Sequence, residues 1–250
     1  MNIPIFLSIQ GSYNKLQISL FKGDICYKSI TENNRLASSI LIPLIKNLLN
    51  KNSIELSKIK FIGVDQGPGA FTSLRVIIST INGISFSSKI PLIGIDGLDA
   101  LAQETITDRK SNQNKSQILI PLLNAYNNEV YYAFYKISEN KKLELLKNLK
   151  NFKGYKKIDM LLEQIKINFP NQSLLFSGNG TELHKNLIQK KFENQKITIA
   201  KNDTCSSKQI AKMALEKYQK KEGLKYKLYP LYLKSQHFAI RSLPHTSNTS

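Results

Sequence analysis

A nine-residue stretch, Gly67–Arg75 (GPGAFTSLR), constrains the fold of this chain more than any other feature. It follows an apolar run, Phe61–Val64, and precedes a segment of apolar and small residues, Val76–Ser88. Proline fixes φ and glycine allows angles that a Cβ forbids, so the stretch predicts a tight corner between a strand and a helix, with Thr72 or Ser73 capping the helix. A helix N-terminus after such a corner suits an anion, but it is also an ordinary strand-to-helix connection, and both interpretations stay open.

The hydrophobic pattern around this corner predicts an α/β fold. Apolar or alternating runs indicate strands, and apolar residues at helical spacing indicate helices. The resulting order, βββαβαβα, is typical of a ribonuclease H-like, actin-type lobe. The predicted elements are strands at 3–9, 15–21, 25–30, 61–64 and 92–95 and helices at 34–50, 70–88 and 98–105.

A polar stretch, residues 106–117, predicts a linker to a second part of the chain. In that second part the pattern predicts a hairpin near Asn127, a strand at 174–176 and helices at 158–167, 181–191 and 207–220. We therefore expect a two-lobed protein. Its expected divisions are a first lobe of residues 1–105 plus about 206–235, a second lobe of residues 106–205, and a flexible tail of residues 236–250.

Charge and cysteine content limit the classes of function. The net charge of +18 is uneven, since residues 126–250 hold 23 of the 36 basic residues and only 10 of the 18 acidic ones. Such an excess can attract an RNA backbone, or it can form a solvated lysine-rich surface, and both readings stay open. Cys26 and Cys205 do not have metal-type spacing, no apolar run reaches about 20 residues, and the N-terminus lacks the basic region of a secretory signal. We expect a cytoplasmic protein without a membrane contact.

Four motifs in a fixed order resemble the bacterial TsaB family, also called YeaZ. They are GPGAFTSLR at Gly67–Arg75, IPLIGIDGLDALA at Ile90–Ala102, NAYNNEVYYA at Asn124–Ala133 and YPLYLK at Tyr229–Lys234. TsaB proteins are non-catalytic partners in making threonylcarbamoyladenosine on transfer RNA, and the resemblance implies a two-lobed actin-like, ribonuclease H-like fold. The residues that match the family's central signature are Gly67, Pro68, Gly69, Phe71, Thr72 and Arg75.

The loop after the first strand departs from the pattern of nucleotide-handling relatives. Actin-type ATPases and most TsaB proteins carry an aspartate there, and this position falls on Gln10, followed by Gly11, Ser12 and Tyr13. A neutral amide does not supply the anionic oxygen that Mg²⁺ prefers. We therefore interpret Gln10, Gly11 and Ser12 as a degenerate phosphate loop, and we expect Tyr13 to crowd the place of a phosphate.

Other catalytic constellations lack candidates in the sequence. The related TsaD enzymes carry H-x-E-x-H, whereas His184, His237 and His245 have no such spacing. The sequence contains no G-x-S-x-G elbow either. Asp65, Asp96 and Asp99 stand at predicted strand ends or helix starts, where capping explains them as well as catalysis does. We expect no catalytic residue, no metal and no cofactor.

The resemblance also implies a partner surface. In TsaB proteins the first helix and the helix after the glycine corner pair with a TsaD-type enzyme or with a second TsaB. Small residues four apart on the second of these helices allow close approach, although they can equally pack against the chain's own sheet. The implied contact surface comprises Leu36, Ser39, Ile40, Pro43, Val76, Ser79, Thr80, Gly83 and Ser87.

Together these features predict a non-catalytic scaffold that binds a TsaD-type enzyme for threonylcarbamoyl transfer to adenosine beside the anticodon. A TsaE-type ATPase would join through the complex, transfer RNA would be contacted indirectly, and a homodimer is a further possibility. Two alternatives remain. An actin-fold ATPase or sugar kinase would need a carboxylate where Gln10 stands. A stand-alone RNA-binding protein would fit the net charge, but the sequence has no aromatic RNA-stacking motif or arginine-rich segment.

Overall fold

The computed structural model describes residues 3–34, 37–109, 117–138 and 142–234. Within these ranges the strands form two sheets, and helices cover both of them. Leu36 of the implied contact surface and the predicted tail at 236–250 lie outside the described residues.

The first sheet begins as an antiparallel meander and continues with parallel strands. Its order in the described part of the chain is β3–β2–β1–β4–β5–β13, with β4 and β5 parallel to β1 and the short β13 antiparallel at the edge. The strands are β1 (Ile5–Gln10), β2 (Lys15–Lys22), β3 (Ile25–Asn33), β4 (Ile59–Asp65), β5 (Leu92–Ile95) and β13 (Leu224–Lys225). The associated helices are α1 (Ala37–Lys51), a 3₁₀ turn (Leu56–Lys58), α2 (Phe71–Ser88), α3 (Gly97–Thr107) and α7 (Ser207–Gln219).

The second sheet repeats the strand order of the first. Its central strand has antiparallel neighbours on one side and one parallel strand on the other, and a second parallel strand pairs with the first, as in the first sheet. The second and third positions are each divided into two short strands. The strands are β6 (Gln117–Asn124), β7 (Glu129–Ala133), β8 (Tyr135–Ile137), β9 (Leu143–Leu145), β10 (Lys153–Lys157), β11 (Ser173–Ser177) and β12 (Ile197–Ile199). The helices are α4 (Ile158–Asn168), α5 (Asn179–Leu183) and α6 (Lys185–Lys191).

Burial explains why the central strands read as continuous apolar runs. Helices α1 and α2 pack on one face of the first sheet, and α3 and α7 pack on the other, so β1 and β4 have both faces covered. The α3–α7 layer also touches the second sheet, because Leu101 and Ile106 share a core with Leu119 and Tyr135. The repeated order and this shared helical layer form the two-lobed actin-like fold that the sequence predicts.

The order βββαβαβα predicted for the first lobe is the order found, with differences at the element ends. Among the described residues helix α1 covers Ala37–Lys51 and continues through Pro43, and Asn34 does not belong to an α-helix. Ile106 is buried at the end of α3 and Gln117 is buried in β6, so both ends of the predicted 106–117 linker belong to regular structure. The predicted helix 181–191 is two helices, because the backbone of His184 has φ −110° and ψ 20°.

Candidate functional site

The glycine corner is a sterically closed connection. Gly67 has φ +94°, the Gly67–Pro68 peptide is cis, and the Gly67 N–H donates to Asp65 Oδ1 at 2.8 Å. A Cβ on Gly69 would lie 2.5 Å from the carbonyl oxygen of Ser12, so only glycine allows the corner to approach that loop. The predicted caps are wrong: the N-cap of α2 is Ala70, which has no side-chain acceptor, and Thr72 is exposed.

The predicted phosphate loop is sealed by this corner. Gln10 and Ser12 are each 2% exposed, and the Gln10 amide donates to the Ser12 hydroxyl at 3.2 Å. The Ser12 carbonyl accepts the Ala70 N–H at 2.7 Å, while Asn34 donates to the carbonyl of Gly11 at 2.6 Å. The loop's polar groups are therefore engaged by the chain itself.

Tyr13 closes the space between the two sheets. Its ring is buried, and its hydroxyl donates to the carbonyl of Asn124 at the end of β6, at 2.7 Å. Burial raises the pKa of this hydroxyl well above its ordinary value, so Tyr13 acts as a neutral hydrogen-bond donor. That Tyr13 would crowd a phosphate stays a prediction.

Asp65 is a buried carboxylate at the end of β4. Burial raises its pKa to about 6, and the Gly67 N–H together with Ser12 and Gln10 limits the rise. Its Oδ2 has no hydrogen-bond partner among the described residues. The carboxylate supports the corner through one oxygen and lies in a closed interior rather than in a cleft open to a substrate.

An ion-pair cluster joins α3 to the second sheet. Asp96 caps α3 by accepting the N–H groups of Leu98 and Asp99. Lys153, on β10, places its Nζ 2.6 Å from Asp96 Oδ2 and 2.7 Å from Asp99 Oδ1, and the Tyr135 hydroxyl donates to the same Asp99 oxygen. Burial and the charge of Asp99 raise the pKa of Asp96, while Lys153 opposes the rise. The sequence gives no sign of this pairing, because the partners are more than fifty residues apart.

Lys153→Ala is expected to lower the free energy of unfolding by about 1–3 kcal/mol, below the usual cost of breaking a fully buried pair because Asp99 is 40% exposed. The substitution leaves two neighbouring carboxylates without their shared cation. Urea unfolding at pH 7 measures the loss. The matched control is Lys185→Ala, which removes an exposed pair with Glu182 at 3.6 Å and is expected to change stability by less than about 0.5 kcal/mol. Equal losses in the two variants would contradict the assignment.

Helices α1 and α2 lie side by side and leave one face to solvent. On α2, Ser79, Gly83 and Ser87 are exposed, and no atom lies within 4 Å of a Cβ built on Gly83. The stripe therefore does not pack against the chain's own sheet, which was the alternative left open by the sequence. The other described members of the implied surface are exposed or half-buried: Ser39, Ile40, Pro43, Val76 and Thr80.

Exposed apolar residues on the same two helices escaped the sequence reasoning. Ile42 on α1 is 58% exposed and Phe86 on α2 is 76% exposed, with Lys89 Nζ 4.9 Å from the centre of the Phe86 ring. A helix that exposes a large apolar side chain beside a row of small residues is suited to contact another protein. The sequence could have revealed these two residues, because each is apolar but lies outside the helical spacing of the buried apolar residues.

The signature residues Phe71 and Arg75 form a contact with the end of the described chain. The Arg75 guanidinium lies 3.5 Å from the centre of the Phe71 ring, and its Nε donates to the Tyr232 hydroxyl at 3.2 Å. Lys234 forms an ion pair with Glu129, on β7. The first and last motifs of the sequence therefore meet in space.

The described residues offer neither a metal site nor a membrane-spanning helix, and of the three histidines only His184 lies among them. Among the described residues no group of three or more His, Cys, Asp or Glu side chains is placed to hold a metal ion. His184 is half-buried, and burial lowers its pKa, while His237 and His245 lie outside the described ranges. In the part of the chain that the structure describes, none of the helices has the length and apolar character to cross a bilayer.

Comparison with known proteins gives the family. The sequence model of the family described as TsaD: tRNA N6-adenosine threonylcarbamoyltransferase matches residues 31–241. The tRNA threonylcarbamoyladenosine biosynthesis protein TsaB of Buchnera aphidicola subsp. Schizaphis graminum is 29% identical over 77% of this chain and 87% of its own length. The TsaB of Buchnera aphidicola subsp. Baizongia pistaciae is 26% identical over 92% of this chain and 98% of its own length. The chain belongs to the TsaB (YeaZ) branch of this family.

Solved structures support the same fold. YeaZ from Pseudomonas aeruginosa superimposes with a TM-score of 0.70 at 19% identity, covering 91% of this chain and all of that one. A second Pseudomonas aeruginosa structure, described as similar to peptidase YeaZ, gives a TM-score of 0.73 at 19% identity and covers 93% of this chain and all of its own. The TsaB fold is thus shared over nearly the whole length.

Proposed function

We propose that this TsaB-family chain is a non-catalytic scaffold that binds a TsaD-type enzyme through the exposed face of α1 and α2. Its family gives it a role in the biosynthesis of threonylcarbamoyladenosine on transfer RNA. The observation that carries the scaffold proposal is the open stripe Ser79–Gly83–Ser87, because small residues spaced four apart on an exposed helix face let a second helix approach closely.

The closed phosphate loop supports the non-catalytic part of the proposal. Gln10 stands where an actin-type ATPase has its aspartate, and it is buried against Ser12 under the glycine corner. A nucleotide phosphate would have to displace both the Ala70–Ser12 hydrogen bond and the ring of Tyr13. We propose that the chain contributes a binding surface, and that threonylcarbamoyl transfer takes place on the TsaD-type partner.

The remaining partners follow from the same proposal. A TsaE-type ATPase would join the assembly through the TsaB–TsaD pair, and transfer RNA would reach the chain as part of the complex. In the absence of the enzyme, the α1–α2 face is available to a second copy of the chain. Size-exclusion chromatography with light scattering, with and without the TsaD-type protein, separates the homodimer from the heterodimer.

Gly83→Leu is expected to abolish co-purification with the TsaD-type protein of the same organism. A Cβ at this position has no atom of the described chain within 4 Å, so the substitution should leave the fold intact, while the bulky side chain would hold an approaching helix away. We expect at least a tenfold loss of affinity. Pull-down and isothermal titration measure it.

Gly83→Ala is the matched control, because its single methyl group still permits close helix approach. Circular dichroism should show both variants folded. If Gly83→Leu binds the TsaD-type protein as tightly as wild type does, the stripe is not part of the interface. Tight ATP binding by the isolated wild-type chain, together with no complex, would support the actin-fold ATPase instead.

A further inference from the structure

The chain after α7 forms an extended segment that crosses the first lobe. We name Leu224–Lys234 the C-terminal strap. Its first two residues pair with β5 as β13, and Leu228 is buried in the core beneath α1 and α2. Near its end, Lys234 pairs with Glu129 of the second sheet. The strap is therefore tied to the protein at both ends and in the middle.

The middle of the strap is held through its backbone, while Tyr232 near its end contacts Arg75 and Phe71. Asn82 donates to the carbonyl of Leu228 and accepts its N–H, both at 2.9 Å. Gln66 donates to the carbonyl of Tyr229 at 2.8 Å, and Ser85 donates to the carbonyl of Tyr226 at 3.2 Å. These bonds fix the segment around Tyr226 and Tyr229 without using the rings of those two residues.

The tyrosine side chains of the strap are largely exposed. Tyr226, Tyr229 and Tyr232 are 62%, 65% and 48% exposed. Six aromatic side chains are largely exposed in the part of the chain that the structure describes, and these three fall within seven residues. Exposed aromatic rings on a fixed backbone make a contact surface that loses little conformational entropy on binding.

The charge of the strap has one sign. Residues 223–234 contain Lys225, Lys227 and Lys234 and no acidic residue. Lys225 and Lys227 are exposed on either side of Tyr226, and Lys227 Nζ lies 5.1 Å from the centre of the Tyr229 ring. Alternating tyrosines and lysines match a ligand that alternates flat bases with phosphates.

We propose that the C-terminal strap binds single-stranded RNA, with Tyr226 and Tyr229 stacking on unpaired bases and Lys225 and Lys227 contacting the adjacent phosphates. Lys225 and Lys227 flank Tyr226, and Lys227 also lies beside Tyr229, so positive charge accompanies both of these rings, an arrangement that suits RNA better than an apolar protein surface. The identification of that RNA as an unpaired loop of transfer RNA rests on the proposed function. The binding itself rests on the strap alone.

The test measures binding of the full chain to a fluorescent 12-nucleotide oligoadenylate by polarisation, at several salt concentrations. Tyr226→Ala/Tyr229→Ala is expected to weaken binding at least tenfold, because stacking of one base is worth about tenfold or more. Tyr226→Phe/Tyr229→Phe keeps both rings and should bind as wild type does. The same oligoadenylate in a duplex with oligouridylate should bind more weakly than the single strand, since its bases are already stacked.

A matched pair of charge variants separates a specific contact from attraction to the net charge of +18. Lys225→Ala/Lys227→Ala should reduce the slope of log affinity against log salt by about 1.4, since each phosphate contact on a single strand contributes about 0.7. The control, Lys147→Ala/Lys150→Ala, removes two exposed lysines of the second lobe. It lowers the net charge by the same amount as Lys225→Ala/Lys227→Ala does. Equal losses in the two pairs would overturn the proposal.

The outcomes also separate this proposal from the scaffold function. Loss of oligoadenylate binding in the tyrosine variant, with unchanged co-purification of the TsaD-type protein, supports an RNA contact whether or not the scaffold proposal holds. Unchanged oligoadenylate binding with weakened co-purification would assign the strap to the protein interface and overturn the RNA contact. The scaffold proposal is tested separately by Gly83→Leu, and it fails if that variant binds the TsaD-type protein as tightly as wild type does.

Discussion

Gly178→Ala is expected to lower the free energy of unfolding by more than about 3 kcal/mol. Gly178 has φ +98° and ψ 161°, a region of backbone angles open almost only to glycine. A Cβ there would lie 2.1 Å from the carbonyl oxygen of Leu122 and 3.0 Å from Leu101 Cδ2. The substitution therefore combines backbone strain with a collision at a place where α3, β6 and the turn after β11 meet.

The collision cannot be relieved by a side-chain movement. Leu122 belongs to β6, which pairs with β7 on one side and with β11 on the other, so its carbonyl is fixed by the middle of the second sheet. The Gly178 N–H itself donates to the carbonyl of Asn202 at 2.7 Å. Moving the turn would break this bond and displace Asn179, whose Oδ1 accepts the Asn124 N–H at 2.9 Å.

Urea unfolding followed by circular dichroism measures the effect, with Gly83→Ala as the matched control. Gly83 is exposed within α2 and has open space around it, so alanine should leave stability unchanged or raise it by about 0.5–1 kcal/mol. Of two glycine-to-alanine changes in one chain, only Gly178→Ala is thus expected to lower stability. Similar, small effects in both would contradict the steric account of Gly178.

The first lobe could be predicted because its elements are specified locally. Leu41, Ile45 and Leu48 recur at helical spacing in α1, and β1 and β4 are mostly apolar because helices cover both of their faces. The predicted N-cap of α2 was wrong because it was placed two or three residues too far along the chain. The chain turns into α2 at Ala70, so Thr72 and Ser73 already lie inside the helix and cannot cap it.

The short strands of the second lobe and the strap could not be predicted in the same way, whereas the hairpin near Asn127, the strand at 174–176 and the helix at 158–167 were predicted. Strands β8, β9 and β12 are three residues long, and β10 (KGYKK) has no apolar alternation, so their pairing is decided by neighbours distant in sequence. The sequence reasoning found no aromatic RNA-stacking motif because the tyrosines of the strap belong to no known pattern. Their exposure becomes visible only when the backbone bonds to Gln66, Asn82 and Ser85 are known.

The second large effect concerns the pH dependence of stability and depends on Asp65. Burial raises the pKa of this carboxyl from an ordinary value of 3.8 to about 6 in the folded chain. Between these values the folded state binds more protons than the unfolded state, so the free energy of unfolding falls as pH rises through this window. The difference amounts to about 3 kcal/mol once pH exceeds 6, because one pKa unit corresponds to about 1.4 kcal/mol.

Asp65→Asn is expected to remove this dependence. The asparagine keeps an oxygen for the Gly67 N–H and carries no charge, so its stability relative to wild type should be greater at pH 8 than at pH 5 by about 1.4 kcal/mol. If the new NH₂ group finds no acceptor, it lowers stability equally at every pH and leaves this difference unchanged. Urea unfolding of both proteins between pH 5 and 8 measures the difference.

Asp24→Asn serves as the control, because Asp24 is exposed in the turn between β2 and β3. Its stability relative to wild type should be nearly constant over the same pH range. A constant relative stability for Asp65→Asn as well would mean that Asp65 is not the buried group that titrates near pH 6. The expected result would instead show that the glycine corner retains a carboxylate at a cost of folding stability.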